Sequence, residues 1–534
     1  MEVNVFLLTV IVVILGVIYY WLTKHHDYFR EKPIPSLAAW PLFGSTADIM
    51  LRKCTVTDYV KLVYNKFSSV KVFGLFDNNA RVFVIRDLDL IKQIAIKDFD
   101  HFVDRRPIFG ICDKDNPNVL FNKALVMLTG QKWRDMRATL SPAFTGSKMR
   151  AMFGLITEYS DRMIQILRTE VNNEKGCSEH DMKDLFSRIA SDIIATCAFG
   201  IQVESVKESR NEFFMMGKAM MNLFRTSVMF RVLAYSWFPG VMQNLGIDVI
   251  DREQINYFSN MIRKTVKNRE THDIVRPDMI HLLMLAKKGA LKDQRETVKT
   301  VEGFATAEES TVGTVSVTKT LTDAEFTAQC LIFFIAGFEG ISTAMVIMAY
   351  QLAMNSTVQQ KLYEEIAATC KQLKGEELSY DILQAMKYMD MVASETLRLM
   401  PNPFADRLCV KDYSVDDGKG LKFTIDKGTC VWIPIHGIHQ DPKYYPNPEK
   451  FDPERFSEAN REKINKTAYM PFGIGPRNCI GSRFALMEVK AIMYQLLLNF
   501  RIERTEQTQI PLKIGKGLVP SITTHLKLVL RKQI

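Results

Sequence analysis

A short glycine-rich loop that carries one cysteine and leads directly into an apolar helix constrains this chain more than any other segment. The loop spans residues 471–481, and apolar residues then recur at helical spacing from Phe484 to Leu496. Glycines in such a loop permit tight turns and the close approach of a flat ligand. We expect Cys479 to have a stabilised thiolate, because unpaired N–H groups and the dipole at a helix N-terminus favour negative charge.

Composition narrows the class of protein without choosing a fold. The chain has 534 residues, of which 47% are apolar and 24% charged, enough for one large domain or several smaller ones. Its nine cysteines are widely spread and contain no C-x-x-C pair, which argues against a disulfide framework or a structural zinc site and favours a reducing compartment. The net charge of +9 is compatible with anionic lipid or an acidic protein. Nucleic acid is disfavoured because no dense basic tract with interleaved aromatic residues is present.

The N-terminal segment is typical of a membrane anchor. No charged residue occurs from Val3 to Thr23, and at about 1.5 Å per residue this run is long enough to cross a bilayer core of roughly 30 Å. Aromatic residues crowd its end and basic residues follow it, which favours a cytoplasmic location for the rest of the chain. A cleaved signal peptide fits less well because the run is long and the basic residues lie on the wrong side. We therefore expect a transmembrane anchor at 1–23.

The rest of the chain predicts a mainly α fold with a smaller β region, of the α+β class. Residues 24–44 are basic and contain prolines, which predicts a stiff hinge, and residues 45–534 form one domain. Val70–Ile85 predicts a hairpin, and helical periodicity dominates from Ser160 to Ala286. The polar stretch from Ala286 to Thr320 predicts a surface loop.

One unusually long apolar helix follows this loop. Thr322 and Glu325 have the spacing of a capping box, and the apolar run continues as far as Asn355. We expect this helix to lie buried in the core.

The cysteine loop matches the pattern F-x-x-G-x-R-x-C-x-G at Phe472, Gly475, Arg477, Cys479 and Gly481. It resembles the haem-binding loop of the cytochrome P-450 superfamily. The resemblance implies one haem b between the long helix and this loop, with Cys479 as the ligand whose electron donation favours O–O cleavage. It also implies that Phe472 packs beside the haem and that Arg477 pairs with a propionate. The alternative for a solitary cysteine is an inert buried thiol.

A second pattern on the chain resembles the E-x-x-R motif of this superfamily. Glu395 and Arg398 stand three residues apart on a predicted helix, and Arg455 lies in a Pro-Glu-Arg-Phe segment like the one that completes the family's triad. An exposed ion pair is the alternative for E-x-x-R alone. We assign these three residues a structural role in the core on the thiolate side.

Further residues are expected to bind the cofactor. Trp133 and Arg137, one helical turn apart, resemble the family's W-x-x-x-R, which contacts a haem propionate. Arg105 and Arg407 stand where relatives place further propionate arginines, and the planar guanidinium suits a carboxylate. A surface charge is the alternative for each arginine.

Within the long helix, residues 335–343 resemble the superfamily's oxygen-activating motif, with Ala336 and Glu339 in their usual places and Gly340 where a threonine is usual. Small residues leave room for dioxygen, and Glu339 is a candidate proton relay. The hydroxyl missing at Gly340 is not replaced by Ser342 or Thr343, which are rotated from it by about 200° and 300°. An apolar core helix with one paired glutamate is the alternative.

The resemblance covers essentially the whole chain and is strongest with the microsomal, xenobiotic-metabolising insect branch, particularly insect family nine. It implies a monooxygenase of the endoplasmic reticulum membrane that inserts one oxygen atom of O2 into lipophilic small molecules. Electrons would come from NADPH through NADPH-cytochrome P-450 reductase, with cytochrome b5 as a second candidate partner. The chain shows no phosphate-binding glycine fingerprint, so we do not expect it to bind NADPH itself.

Gly340 keeps other functions open: a haem-thiolate isomerase or dehydratase, an uncoupled oxidase that releases peroxide, or a non-catalytic haem binder. An ordered water or a substrate hydroxyl in place of the threonine hydroxyl favours monooxygenation. We expect Ile108, Phe109, Phe338 and the segment from Asn211 to Phe230 to line an apolar pocket. Plain core packing is the alternative for methionines and aromatic residues at helical spacing. A basic patch around Lys132, Arg134, Lys148 and Arg150 is expected to attract the acidic reductase.

Overall fold

The computed structural model describes residues 2–106, 120–174, 176–221, 226–247, 251–291, 304–306, 320–517 and 522–531. Helices outweigh strands across these residues, which confirms the mainly α fold with a smaller β region. The α-helices are α1 (Glu2–Thr23), α2 (Ala47–Met50), α3 (Val56–Lys66), α4 (Leu88–Lys92), α5 (Gly130–Leu140), α6 (Gly146–Asn173), α7 (Met182–Ile194), α8 (Glu212–Met221), α9 (Thr226–Trp237), α10 (Pro239–Asn244), α11 (Arg252–Thr271), α12 (Met279–Lys287), α13 (Asp323–Met354), α14 (Ser356–Leu373), α15 (Tyr380–Ala385), α16 (Lys387–Leu399), α17 (Ile435–His439) and α18 (Ser482–Asn499).

The described strands form small sheets at the edge of the helical body. They are β1 (Val72–Asp77), β2 (Ala80–Ile85), β3 (Cys177–Asp181), β4 (Ala405–Leu408), β5 (Tyr413–Asp416), β6 (Lys422–Ile425), β7 (Cys430–Ile433), β8 (Phe500–Arg504) and β9 (His525–Leu530). The largest sheet has the order β1-β2-β7-β4, in which β2 and β7 are parallel and the other pairs antiparallel. The predicted hairpin is confirmed, and Asn78 in its two-residue turn has a φ of +53°.

The long helix α13 begins as the sequence predicts. Thr322 accepts a hydrogen bond from the Glu325 backbone, and the Glu325 carboxylate accepts one from the Thr322 backbone, so two N–H groups at the helix start are satisfied. The helix runs for 32 residues to Met354 and packs against α7, α16 and α18. It is therefore a central, packed helix of the domain.

Two helices of the described chain are long and apolar enough to cross a membrane, namely residues Val5–Thr23 of α1 and Asp323–Met354. Their surroundings differ. The window on α1 has no buried residue, whereas half of the window on α13 is buried. Packing inside the domain explains the apolar character of α13, and no such packing covers α1.

The predicted surface loop before α13 lies mostly outside the described residues. The short described piece, 304–306, is anchored: Phe304 N donates to the Asp390 carboxylate at 2.8 Å, and Ala305 is buried. This piece packs beside α16, so the connector is not polar surface throughout its length.

One carboxyl group of α18 is buried without a partner among the described residues. Glu488 is fully buried, and no described residue forms a hydrogen bond with either of its carboxyl oxygens. Burial raises its pKa well above the usual range, which favours the neutral acid in the folded protein. The unfolded chain releases this proton above a pH of about 4.3, and stability is therefore lost as the pH rises.

Replacing this acid by its neutral isostere should stabilise the protein. We expect Glu488→Gln to raise the free energy of unfolding by about 1–3 kcal/mol near neutral pH, with a smaller gain in acid, because the amide has no proton to lose. Thermal unfolding of parent and variant at about pH 4 and about pH 8 measures the difference. The exposed Glu506→Gln is the matched control. A variant less stable than the parent at both pH values would contradict the prediction.

Candidate functional site

A mostly apolar cavity of about 130 Å³ lies between α13 and the cysteine loop. On one side it is bounded by Ala336, Gly337 and Ile341 of α13, and on the other by Cys479 and Ile480 of the loop. The remaining lining residues are Phe144, Ile194, Cys197, Ala198, Met279, Phe333, Gly481, Phe484 and Ala485. The fold thus brings together the two segments that the sequence singled out.

The shape of the cysteine loop depends on two glycines. Gly473 and Gly475 have φ values of +82° and +73°, which L side chains rarely adopt. A Cβ on Gly475 would also lie 2.0 Å from the carbonyl oxygen of Ala95, in the π-helical turn Gln93–Lys97 that supports the loop. The loop is closed by a hydrogen bond of 2.9 Å from Cys479 N to the carbonyl of Phe472.

The thiol of Cys479 opens onto the cavity while lying deep inside the protein. Burial raises its pKa, and the Gly481 N–H and the positive charges of Arg137 and Arg105 oppose this rise only in part. The expected stabilisation of the thiolate by the helix N-terminus is therefore outweighed in the protein alone. A bound metal ion would supply the missing positive charge, since coordination deprotonates a thiol.

The described residues contain no group of three or more His, Cys, Asp or Glu side chains that could hold a metal ion. Cys479 is a single donor in apolar surroundings. A metal ion at this position would have to arrive with its other ligands already in place, as it does in a metalloporphyrin. The single thiol and the apolar lining between α13 and the loop suit such a group.

The predicted cofactor arginines are gathered around the same loop, and they are Arg105, Arg137, Arg407 and Arg477. Arg137 on α5 donates to both oxygens of Asn478 at 3.0 Å. Arg407, at the end of β4, donates to the Ile474 carbonyl at 2.8 Å. Arg105 donates to the Arg477 carbonyl at 2.9 Å.

Arg477 itself fastens the loop to the segment before α5. Its nitrogens donate to the carbonyls of Val103 at 2.9 Å and Leu128 at 2.5 Å. Its guanidinium lies 4.3 Å from the centre of the buried Trp133 ring, a cation–π contact. The structure therefore gives Arg477 and Trp133 a shared role in holding the loop.

The protein offsets the charge of this arginine cluster only in part, through the carboxylates of Asp104 and Asp406, which oppose the lowering of the pKa of Arg477. Among the described residues, none of the four guanidiniums forms a salt bridge, and the Nε atoms of Arg105, Arg137 and Arg407 are buried without a hydrogen-bond partner. Burial, with repulsion from Arg105, lowers the pKa of Arg137 to about 10 and that of Arg407 to about 9. An anionic group with two carboxylates would relieve this repulsion and satisfy the spare donors.

Behind the loop, the predicted triad is formed. The carboxylate of Glu395 accepts hydrogen bonds from Arg398 at 2.6 and 2.8 Å and from Arg455 at 3.3 Å, and both Glu395 and Arg398 are fully buried. Arg398 also donates to the carbonyl of His439 at 2.8 Å. Removing one partner of such a buried pair costs about 3–5 kcal/mol. The structural role expected from the sequence fits this geometry.

Across the cavity, α13 presents small residues. Ala336 and Gly340 are exposed one turn apart, and a Cβ built on Gly340 meets no atom within 4 Å. A threonine would therefore fit at position 340.

Glu339 points elsewhere. Its carboxylate pairs with Lys183 of α7 at 2.8 Å, and the same Lys183 nitrogen donates to Ser342 at 2.9 Å and Thr343 at 3.0 Å. Burial lowers the pKa of Lys183, and the pairing with Glu339 opposes this. The acid in the apolar helix thus has a charged partner, and neither hydroxyl takes the place of the one missing at Gly340.

Two expectations about the lining of the apolar pocket are not confirmed by the structure. Phe338 is buried away from the cavity, where its ring lies 6.1 Å from Phe214 and 5.6 Å from Phe334, because it is rotated by about 200° from Ala336. Ile108 and Phe109 lie outside the described residues. Lys183 could not be identified from the sequence as the partner of Glu339, because nothing in the sequence links two residues that are 156 positions apart.

The family model described as Cytochrome P450 matches residues 34–528. Similar proteins include cytochrome P450 9e2 of Blattella germanica, 41% identical over 92% of this chain and 91% of the relative, and probable cytochrome P450 9f2 of Drosophila melanogaster, 40% identical over 96% and 97%. Cytochrome P450 3A9 of Rattus norvegicus is 32% identical over 98% of this chain and 96% of its own. Proteins of this family bind haem and are monooxygenases. The chain belongs to the cytochrome P450 family, and the insect relatives confirm its resemblance to family nine.

Proposed function

We propose that this protein is a membrane-bound monooxygenase that inserts one oxygen atom of O2 into lipophilic small molecules with electrons delivered from NADPH by a reductase. The observation that carries the proposal is the placement of one thiol at an apolar cavity, with four arginines gathered around the loop that carries it. When bound, haem supplies the iron at which dioxygen is reduced, and a thiolate ligand favours O–O cleavage.

The residues around the loop have distinct parts in holding this cofactor. Cys479 would hold the iron through its sulfur, and Phe472 would pack beside the cofactor. Arg105, Arg137 and Arg407 offer buried Nε–H groups for the propionates. The fourth propionate arginine is Arg477, steadied by Trp133, and Gly481 donates its N–H to the sulfur. Each N–H to the sulfur spreads its negative charge and tunes the iron.

Small and apolar residues shape the oxygen-binding side. Ala336 lines the cavity, Gly340 leaves open space one helical turn away, and the apolar lining favours lipophilic substrates over water. Proton delivery needs a bridge, because Glu339 is held by Lys183 outside the cavity lining. We propose that ordered water, or a hydroxyl of the substrate, connects Glu339 to the space left by Gly340.

The first helix is proposed to anchor the protein in the endoplasmic reticulum membrane, with the catalytic domain, 45–534, on the cytoplasmic side. The described segment from residue 24 to residue 44 is non-helical, as expected for the hinge. At the end of the anchor, Trp21 lies 5.0 Å from Trp237 and 5.8 Å from Phe238, measured between ring centres. The exposed apolar side chains of α9 and α10 thus lie beside the anchor, where a lipid surface would cover them.

The reductase and cytochrome b5 are proposed to approach the thiolate side of the domain, where α5 packs on the cysteine loop. Arg134 pairs with Asp100 at 2.6 Å and Arg150 with Asp381 at 2.9 Å, so the predicted basic patch is weaker than its four positive residues suggest. Lys132 is the most exposed of the four residues, and we therefore choose it to test the patch.

Gly340 supports a second candidate function. Without a hydroxyl near the oxygen site, the protein could act as an uncoupled oxidase or as an isomerase or dehydratase that needs no protons from outside. The open space at Gly340 is the observation that favours it.

Labelled oxygen distinguishes these functions. Purified protein, reconstituted with reductase and NADPH, should hydroxylate a lipophilic alkane or alkylarene probe to an alcohol that carries one labelled atom from O2, and conversion should need both reductase and NADPH. Turnover of a lipid hydroperoxide without NADPH, with no labelled product in the complete system, would instead support the isomerase.

Restoring the hydroxyl should improve coupling. We expect Gly340→Thr to raise the ratio of product to hydrogen peroxide about fivefold, equivalent to one hydrogen bond of ~1 kcal/mol, because a threonine fits without a clash. Gly340→Ala, which adds the Cβ without the hydroxyl, is the matched control. Equal ratios in the parent and both variants would show that the missing hydroxyl has no effect on proton delivery.

Reductase docking should depend on charge. The rate of reduction should fall as ionic strength rises past about 0.1 M, where the Debye length is about 10 Å, and Lys132→Glu should slow it further at low salt. Lys267→Glu, an equal charge change on the exposed face of α11, should have little effect. A stopped-flow reduction rate that stays flat with salt would rule out this patch.

A further inference from the structure

His439, the last residue of α17, is fully buried, and both of its ring nitrogens have partners. Nδ1 lies 3.2 Å from the carbonyl oxygen of Arg398, and Nε2 lies 3.0 Å from the backbone nitrogen of Met470. The ring therefore connects α16, which carries the triad, to the start of the cysteine loop.

The partners leave one protonation state. The backbone N–H of Met470 can only donate, so Nε2 of His439 accepts, and the Arg398 carbonyl can only accept, so Nδ1 carries the proton. The neutral Nδ1–H form is the only one that satisfies both contacts. Burial, followed by the charge of Arg398, holds the pKa of His439 well below its ordinary value.

His439 connects two structural units, the buried ion pair of Glu395 and Arg398 and the cysteine loop. At one end, Arg398 binds the Glu395 carboxylate and returns a hydrogen bond of 2.8 Å to the His439 carbonyl. At the other end, the carbonyl of Met470 accepts from Gly473 N at 3.0 Å. Phe472, two residues after Met470, accepts the hydrogen bond from Cys479 N. An unbroken series of hydrogen bonds and short backbone steps therefore joins the buried ion pair to the thiol.

Aromatic packing restricts the orientation of the imidazole. The ring of His439 stacks on Tyr469, with centres 5.5 Å apart and planes 11° apart. Phe304, in the connector before α13, also contacts Tyr469, and its ring lies 5.2 Å from Tyr469 and 5.1 Å from Phe456. The connector thus contributes directly to the packing behind the cysteine loop.

We propose that His439 is a positioning residue that transmits the rigidity of the Glu395–Arg398 pair to the cysteine loop and so keeps Cys479 in place as an iron ligand. The proposal rests on the ligand role assigned to Cys479 under the proposed function. His439 lies outside the cavity lining and takes no part in the chemistry itself.

A consequence of this geometry is sensitivity to acid. Protonation would make Nε2 a donor. It would then face the N–H of Met470, which is also a donor, and the hydrogen bond between them would be lost. The titratable groups that face the ring are Arg398, His436, Tyr445 and Tyr469. Since the folded pKa of His439 is lowered, its contribution is present above the unfolded value of about 6.5 and is lost as the pH falls below it.

Two amide variants separate the contacts of the ring. The side-chain oxygen of glutamine in His439→Gln reaches the Nε2 position and accepts from Met470, whereas His439→Asn reaches only the Nδ1 position. The readouts are the fraction of haem-loaded protein with a thiolate-type ferrous carbon monoxide spectrum, followed over time and pH, and the midpoint of thermal unfolding.

We expect His439→Asn to lose the thiolate-type spectrum at least about fivefold faster than the parent, because a buried N–H is left without a partner, and His439→Gln to stay close to the parent. Both variants should lack the acid-induced step of the parent. Equal rates in the two variants, or an acid step that survives in both, would overturn the proposal.

Thermal unfolding distinguishes positioning of the ligand from general stability. If His439 were purely structural, the variants would have a lower unfolding midpoint, but His439→Asn would not lose the thiolate-type spectrum faster than His439→Gln. If a variant fails to fold, the nitrogen NMR shifts of labelled parent protein provide the test. The His439 signals must report a neutral Nδ1–H ring at about neutral pH, and a protonated or Nε2–H ring would contradict the proposal. A parent that never shows the thiolate-type spectrum would refute the proposed function, not this inference alone.

Discussion

Four guanidiniums gathered around the cysteine loop, three of them buried and none in a salt bridge among the described residues, are the constraint to which the rest of the site responds. Burial and mutual repulsion make this arrangement costly for the protein alone, as the lowered pKa values of Arg137 and Arg407 show. A cofactor with a metal ion and two carboxylates would remove this repulsion, because its carboxylates would pair with the guanidiniums and its metal ion with the thiolate. These contacts would stabilise the bound cofactor. The same residues fix the loop by donating to its backbone, so the cofactor and the fold around it stabilise each other.

The scaffold meets this constraint from two sides. On one side, α13 is capped at Thr322 and packed along its length, and it places small residues at the cavity. On the other side, the ion pair of Glu395 and Arg398 lies fully buried behind the cysteine loop, where His439 connects the two. Rigid elements therefore hold a site whose own residues would otherwise repel one another.

Much of this was readable from local sequence. The cysteine loop, the capping box and the E-x-x-R pair are short-range patterns whose geometry follows from helix and turn chemistry, and the structure forms each as predicted. Contacts between distant segments were not readable, as the pairing of Lys183 with Glu339 and the packing of Phe304 behind the loop show. Burial, a tertiary property that local sequence does not reveal, raises the pKa of Cys479 in the protein without its cofactor, and the N–H of Gly481 opposes this rise.

The account depends on Cys479 as the ligand of a haem iron. The most direct test is the ferrous carbon monoxide spectrum of the purified, haem-loaded protein, compared with that of Cys479→Ala. The account predicts a thiolate-type Soret shift in the parent and its loss in the variant. A well-folded, haem-loaded parent without this shift, or a variant that keeps it, would contradict the assignment of the ligand.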